Sequence, residues 1–106
     1  MTTNDIVLVL TTCPDDDRAA TLAHALVEER LAACVNVHGP MMSVYRWKGA
    51  VEREVERQVV IKTTRQLVAA VEARVRALHS YELPEFLVVS VDGGSEAYVD
   101  WLISGA

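Results

Sequence analysis

The segment HSYELPE, at residues 79–85, combines an imidazole, a phenol and two carboxylates in seven positions. Imidazole nitrogens bind copper and zinc, and carboxylates bind hard cations. Pro84 restricts the backbone, so the side chains of Glu82 and Glu85 keep set directions. His79 is therefore the candidate metal ligand. The alternative is structural, because a histidine at a helix C-terminus also bonds the last carbonyls.

A second group of chemically capable side chains surrounds the segment YRWKG, at residues 45–49. Tyr45 and Trp47 share one face of a predicted strand, where they form either the wall of a ligand cleft or a contact between subunits. Lys62 ends an apolar strand and could pair with a carboxylate such as Glu56 or Glu85, or with an anionic ligand. The predicted ligand-binding cleft comprises Tyr45, Trp47, Glu56, Lys62, Tyr81 and Glu85.

The two cysteines, Cys13 and Cys34, are not spaced as a CxxC pair. No secretory signal is recognisable, so free thiols are expected rather than a disulfide. Cys34 lies in an apolar strand and is expected to pack as a small hydrophobic residue. Cys13 lies beside a predicted helix N-terminus, which could lower its pKa and make it reactive.

The composition is that of a folded, soluble protein with one domain over residues 1–106. Hydrophobic residues make up 51% of the chain and charged residues 24%. The net charge of −5 disfavours a nucleic-acid partner. The apolar run at residues 6–10 is too short for a signal peptide or a membrane span, so a cytoplasmic protein without a membrane partner is predicted. The sequence contains no GxSxG, HExxH or Walker-type motif, and we therefore predict that it is not an enzyme.

Hydrophobic periodicity predicts an α+β fold in the order β-α-β-β-α-β, followed by a short C-terminal helix. Pro14 is expected to open the first helix, and Thr63 with Gln66 fits a capping box before the second. Right-handed crossovers place both helices on one face of an antiparallel sheet, which is the ferredoxin-like arrangement. The predicted strands cover residues 6–11, 33–47, 51–63 and 86–91.

The central hairpin is predicted to be unusually long, with strands about twice the usual length. Such a hairpin overhangs a small sheet and leaves unpaired backbone edges, which a partner chain normally covers. Gly39 and Pro40 are expected to interrupt its first strand, because proline donates no ladder hydrogen bond. Self-association into a closed ring is therefore expected.

Five sequence segments, given with their residue numbers at the end of this paragraph, resemble segments of the CutA family of divalent-cation tolerance proteins (CutA1 type) and occur in the same order. The resemblance covers nearly the whole chain and implies a homotrimer of ferredoxin-like protomers, similar in architecture to PII signalling proteins. It also implies a role in tolerance of divalent metals, especially copper. The segments are LVEERLAACVNV (26–37), SVYRWKGAVE (43–52), IKT (61–63), HSYELPE (79–85) and YVDWL (98–102).

The copper-linked residues of some bacterial members are only partly present. The resemblance places a cysteine of the first strand at Thr11, whereas the thiol here is two residues later, at Cys13. It also places a pair of histidines at residues 78 and 79, but Leu78 takes the first position and only His79 remains. The expected cofactor is therefore a weakly bound divalent cation, with copper favoured and His79 as its ligand.

Three functions remain open. The first is a homotrimeric, metal-responsive protein that binds divalent cations weakly at His79. The second is a PII-like module whose intersubunit cleft holds a small organic or anionic effector, with metal binding incidental. The third is a structural trimer that presents a surface to a partner protein.

Overall fold

An antiparallel sheet carries helices on both of its faces in this computed structural model, which describes residues 3–105. The strands are β1 (Ile6–Pro14), β2 (Cys34–Trp47), β3 (Ala50–Thr64) and β4 (Leu87–Ser90). The α-helices are α1 (Arg18–Glu28), α2 (Val68–Leu78) and α3 (Glu96–Gly105). The strand order is β2-β3-β1-β4 with antiparallel neighbours throughout, which confirms the predicted ferredoxin-like arrangement.

The main core lies between the sheet and the helices α1 and α2. Alternate residues of β1 and β3 face these helices and are fully buried, as the period of a strand requires. Ile6 points to the opposite face, where it packs with Val99 and Leu102 of α3. The main core includes Val7, Val9, Leu22, Leu26, Val59, Ile61, Val71 and Val75.

Two predicted helix starts are wrong. Pro14 ends β1 opposite Glu56 rather than opening a helix, and α1 begins only at Arg18. A strand end tolerates proline because few ladder bonds remain to be made there. Thr63 lies in β3, where its hydroxyl donates to the Leu31 carbonyl at 2.7 Å instead of capping a helix. A short 3-10 turn then precedes α2.

The β2–β3 ribbon extends beyond the rest of the sheet, as predicted. Its strands contain 14 and 15 residues, but β1 reaches only as far as Glu56. Residues 41–55, which we call the overhang, therefore pair only within the ribbon. One face of the overhang carries four apolar side chains, each more than half exposed, which alternate with Arg46 and Arg53. This apolar face comprises Met42, Val44, Val51 and Val55.

A register shift in β2 sets which side chains occupy each face of the overhang. His38 pairs with Gln58 and Met41 with Glu56, so two residues of β2 oppose one residue of β3. Gly39 adopts a φ of +127° at this point, which confirms the predicted interruption. Because strand side chains alternate, the extra residue reverses the phase of everything that follows.

Replacing Gly39 with alanine tests this constraint. An added Cβ would lie 3.0 Å from Arg57 Cγ and 3.1 Å from the Glu56 carbonyl oxygen, on a left-handed backbone. We expect Gly39→Ala to lower the free energy of unfolding by about 1–3 kcal/mol, measured by chemical denaturation at fixed protein concentration. Gly93→Ala is the matched control, because a Cβ there meets nothing within 4 Å. Equal stability of the two variants would contradict the constraint at Gly39.

Candidate functional site

A cavity of about 820 Å³ lies between the ribbon and the loop that follows α2. Its strand wall consists of alternate residues, because side chains two apart share a face. The register shift brings Tyr45 and Trp47 onto this face, opposite in direction to the apolar face of the overhang. The lining residues are Thr12, Met41, Ser43, Tyr45, Trp47, Glu56, Gln58 and residues 80–85.

Two side-chain hydrogen bonds join the loop to β3. Tyr81 donates its hydroxyl hydrogen to Glu56 Oε2 at 2.7 Å. Gln58 Nε2 donates to Glu85 Oε2 at 3.1 Å and to the Thr11 carbonyl at 2.7 Å. Since Glu56 and Gln58 are two residues apart on β3, both bonds lie on the cavity side of the strand. The loop is thereby held against the ribbon at two points.

Burial and nearby carboxylates both raise the pKa of the phenols in the cavity. Burial and then the hydrogen bond to Glu56 raise the pKa of Tyr81 well above its ordinary value. Tyr81 therefore keeps its proton across the physiological pH range and acts as a donor. The pKa of Tyr45 is also raised, first by desolvation and then by the carboxylates of β3.

Five of the six residues predicted for the ligand cleft line this cavity, and Lys62 does not. Lys62 Nζ donates to the Tyr98 hydroxyl at 3.3 Å and lies 5.6 Å from the centre of that ring. The predicted pairing with Glu56 or Glu85 is therefore wrong. Lys62 and Glu56 share a strand face, but six residues at about 3.3 Å each separate them along β3.

His79 follows α2 directly, and both of its ring nitrogens are engaged. Nδ1 accepts the backbone N–H of Tyr81 at 3.1 Å. Nε2 therefore carries the proton, which it donates to the Thr12 carbonyl at 2.5 Å. Cys13 Sγ lies 3.8 Å from the same Nε2. These contacts tie the end of α2 to the end of β1, which is a structural role for His79.

The residues around His79 do not fit a metal centre as they stand. Neither ring nitrogen offers a free lone pair, because one accepts and the other donates a hydrogen bond. Burial, and then the charges of Asp16 and Glu56, raise the pKa of Cys13 to about 11, which is opposite to the lowering that the sequence allowed. Within residues 3–105 no group of three His, Cys, Asp or Glu side chains is placed to hold a metal ion.

Sequence reasoning missed Gln58 and Thr12 as cavity residues. Gln58 could have been found from its spacing, because it lies two residues from Glu56 on the same strand. Thr12 had no such signal, because its contribution depends on β1 extending to Pro14. Leu83 also lines the cavity, because it belongs to the loop after α2, and its side chain is 70% exposed.

Sequence comparison finds relatives over nearly the whole chain. Residues 7–104 match the family model described as CutA1 divalent ion tolerance protein. The "Divalent-cation tolerance protein CutA" of Thermus thermophilus is 44% identical over 95 residues, covering 90% of this chain and 92% of that protein. The chain belongs to the CutA1 family. It spans only about half the length of other relatives, such as "Protein CutA" of mouse, which is 42% identical over 86% of this chain and is covered over 51% of its own length.

Solved structures agree with this assignment. The cation tolerance protein (Cut A1) of Thermus thermophilus superposes with a TM-score of 0.92 at 42% identity, covering 95% of this chain and 98% of that one. CutA1 from Oryza sativa gives a TM-score of 0.90 at 35% identity, with coverages of 95% and 94%. A relative from Archaeoglobus fulgidus, 32% identical with a TM-score of 0.88 and coverages of 92% and 94%, is described as a periplasmic divalent cation tolerance protein. Within residues 3–105, no helix combines the length and the apolar character that crossing a membrane requires.

Proposed function

We propose that this CutA-family protein is a small-molecule-binding module that assembles as a homotrimer with a PII-like architecture. The observation that carries the proposal is the cavity, whose volume of about 820 Å³ lies within the usual range for ligand pockets. Tyr45, Trp47 and Tyr81 line it together with the buried carboxylate of Glu56. Divalent-cation tolerance would then follow from what the cavity binds, and not from a metal held by His79.

Self-association is supported by the apolar face of the overhang. Large, contiguous exposed apolar surfaces on proteins usually mark interaction sites. Here four exposed apolar side chains, interspersed with Arg46 and Arg53, lie directly behind the cavity wall, because Met42 and Val44 alternate along β2 with Ser43 and Tyr45. A second copy packed on this face would bury it and would place the cavity close to a subunit boundary. That arrangement corresponds to the intersubunit cleft of the PII-like module that the sequence left open as the second function.

Sedimentation at micromolar concentration tests the trimer. We expect a folded species with a mass of three 11.7 kDa chains. Val44→Asp should shift the species to lower mass, because it places a charge within the apolar face of the overhang. Val27→Asp is the control, since Val27 is an exposed apolar residue on α1 and is not part of the apolar face of the overhang. A stable, folded single chain of the unmutated protein would overturn the trimer.

Thermal-shift screening tests the cavity as a ligand site. We expect at least one organic metabolite of a broad panel to raise the melting temperature by several degrees, as ligand binding to the folded state requires. Trp47→Ala should weaken that ligand by about tenfold or more, measured by calorimetry, because it removes an aromatic wall. Trp101→Ala is the matched control, since Trp101 is exposed on α3 and does not line the cavity. Equal losses in the two variants would exclude the cavity.

Direct copper binding is the second candidate, and one contact favours it. Cys13 Sγ lies 3.8 Å from His79 Nε2, so a thiol and an imidazole meet at the end of β1. Both are ligand types that copper accepts. This pair supplies only two ligands, however, and the Cys13 thiol keeps its proton at neutral pH because its pKa is raised to about 11. Copper would have to displace that proton and break the bond from His79 Nε2 to the Thr12 carbonyl.

Titration with zinc, and with copper(I) under reducing conditions, tests this pair. We expect weak binding at pH 7 that strengthens as pH rises, because a metal must displace the proton of Cys13, whose pKa is about 11. At pH 7 the protonated thiol contributes little, so His79→Ala and Cys13→Ser should each change the affinity there by less than about twofold. Both variants should lose the strengthening at high pH. Cys34→Ser is the control thiol. A loss of tenfold or more at pH 7 in both test variants, with Cys34→Ser unchanged, would establish the metal site.

The remaining expectations follow the same proposal. A binding module needs no catalytic machinery, which agrees with the absence of catalytic motifs from the sequence. The cytoplasmic location stays a prediction, as does the absence of nucleic-acid and membrane partners. A trimer that serves only to present a surface to a partner protein is the outcome if neither metabolites nor metals bind.

A further inference from the structure

Glu56 is a buried carboxylate that forms no ion pair within the described part of the chain. The residue is 7% exposed, and one of its oxygens accepts the Tyr81 hydroxyl. Burying an ionised carboxylate is unfavourable unless charge pairing and hydrogen bonds compensate. One bond from a neutral phenol compensates only in part, so Glu56 is suited to receive a cation.

The other charges around the cavity have the same sign. Glu82 and Glu85 also line it, whereas no lysine or arginine of the described chain does. Lys48 lies 3.8 Å from Glu82, but this pair is mostly exposed and thus weak. Lys62, the cation that would have suited an anionic ligand, is bonded to Tyr98 instead. The cavity therefore disfavours anions.

Aromatic rings supply the remainder of the recognition surface. Tyr45, Trp47 and Tyr81 all line the cavity. The face of an aromatic ring attracts cations, especially organic ammonium and guanidinium groups. Lys48 Nζ already lies 5.6 Å from the Trp47 ring centre, which shows that a cation can approach this ring. A bare metal ion, by contrast, needs several oxygen ligands gathered around one point, and the described residues provide no such group.

We propose that the cavity binds a small organic cation, with an ammonium or guanidinium group on an aromatic or aliphatic body. Glu56 pairs with the cationic group, and the aromatic rings contact the body of the ligand. Tyr81 orients the carboxylate by holding one oxygen, which leaves the other for the ligand. This inference rests on the proposed function, because it names the ligand class of the same cavity.

Probes that differ mainly in charge test the inference on the unmutated protein in its native assembly. Benzylamine is the cationic probe, benzyl alcohol the neutral isostere and benzoate the anion, with agmatine as an aliphatic guanidinium. We expect benzylamine and agmatine to bind at least about tenfold more tightly than the neutral and anionic probes, measured by calorimetry. Shifts of the Trp47 indole NMR signal locate the binding. Raising the salt concentration should weaken the cations selectively, because salt screens charge pairing.

Glu56→Gln is the matching variant, because glutamine keeps the size of the side chain and can still accept the Tyr81 hydrogen bond. It should reduce the preference for benzylamine over benzyl alcohol about tenfold. Glu28→Gln is the control: it removes the same charge from an exposed position on α1, which does not line the cavity. Probe discrimination by the unmutated protein remains decisive even if Glu56→Gln does not fold.

The outcomes separate this inference from the function on which it rests. Failure of both cationic probes to bind at millimolar concentration would overturn the inference, as would tighter binding of benzoate. A different result is that the panel metabolites prove neutral or anionic, with binding that Trp47→Ala weakens and Glu56→Gln leaves unchanged. That result would support the cavity as a ligand site but overturn its preference for cations. If Glu56→Gln dissociates the trimer while no free cation binds, the cation is a side chain of a second copy, and the inference is overturned.

Discussion

The pairing register of the β2–β3 ribbon is the constraint on which the rest of the structure depends. One extra residue at Gly39 and Pro40 sets the phase of the overhang. With this phase, Tyr45 and Trp47 point into the cavity, and the apolar face of the overhang points away from it. Removing the extra residue would exchange the two faces, because a one-residue slip turns over every side chain. A single backbone feature thus determines both the proposed ligand surface and the proposed assembly surface.

The loop after α2 converts one face of that ribbon into a cavity. Its attachment depends on polar bonds: Tyr81 to Glu56, Gln58 to Glu85, and His79 to the end of β1. His79 contributes to this attachment through both ring nitrogens, so it shapes the cavity without lining it. A substitution at His79 would therefore disturb the loop whether or not a metal binds, and loss of function alone would not identify a metal ligand.

Sequence patterns predicted the element order, the long hairpin and the shared face of Tyr45 and Trp47, because these depend on local periodicity. They failed where the outcome depended on distant contacts. The hydroxyl of Thr63 bonds the Leu31 carbonyl, which no capping pattern could indicate. Burial raises the pKa of Cys13, although its place in the sequence, before a predicted helix, favoured the opposite shift. Local sequence determines which face a side chain occupies, whereas tertiary packing determines what it meets there.

The position of Lys62 shows how such a tertiary fact changes a functional interpretation. Both Lys62 and Glu56 lie on one face of β3, and the sequence allowed a pair between them that would have neutralised the cleft. Distance along the strand prevents the pair, and α3 supplies Tyr98 as the partner of the lysine. Among the described residues, the cavity is consequently lined by carboxylates and aromatic rings but by no lysine or arginine. Lys48 pairs with it only through the mostly exposed contact to Glu82. The negative charge of the cavity favours a cationic ligand, whereas a lysine in the cleft would have favoured an anionic one.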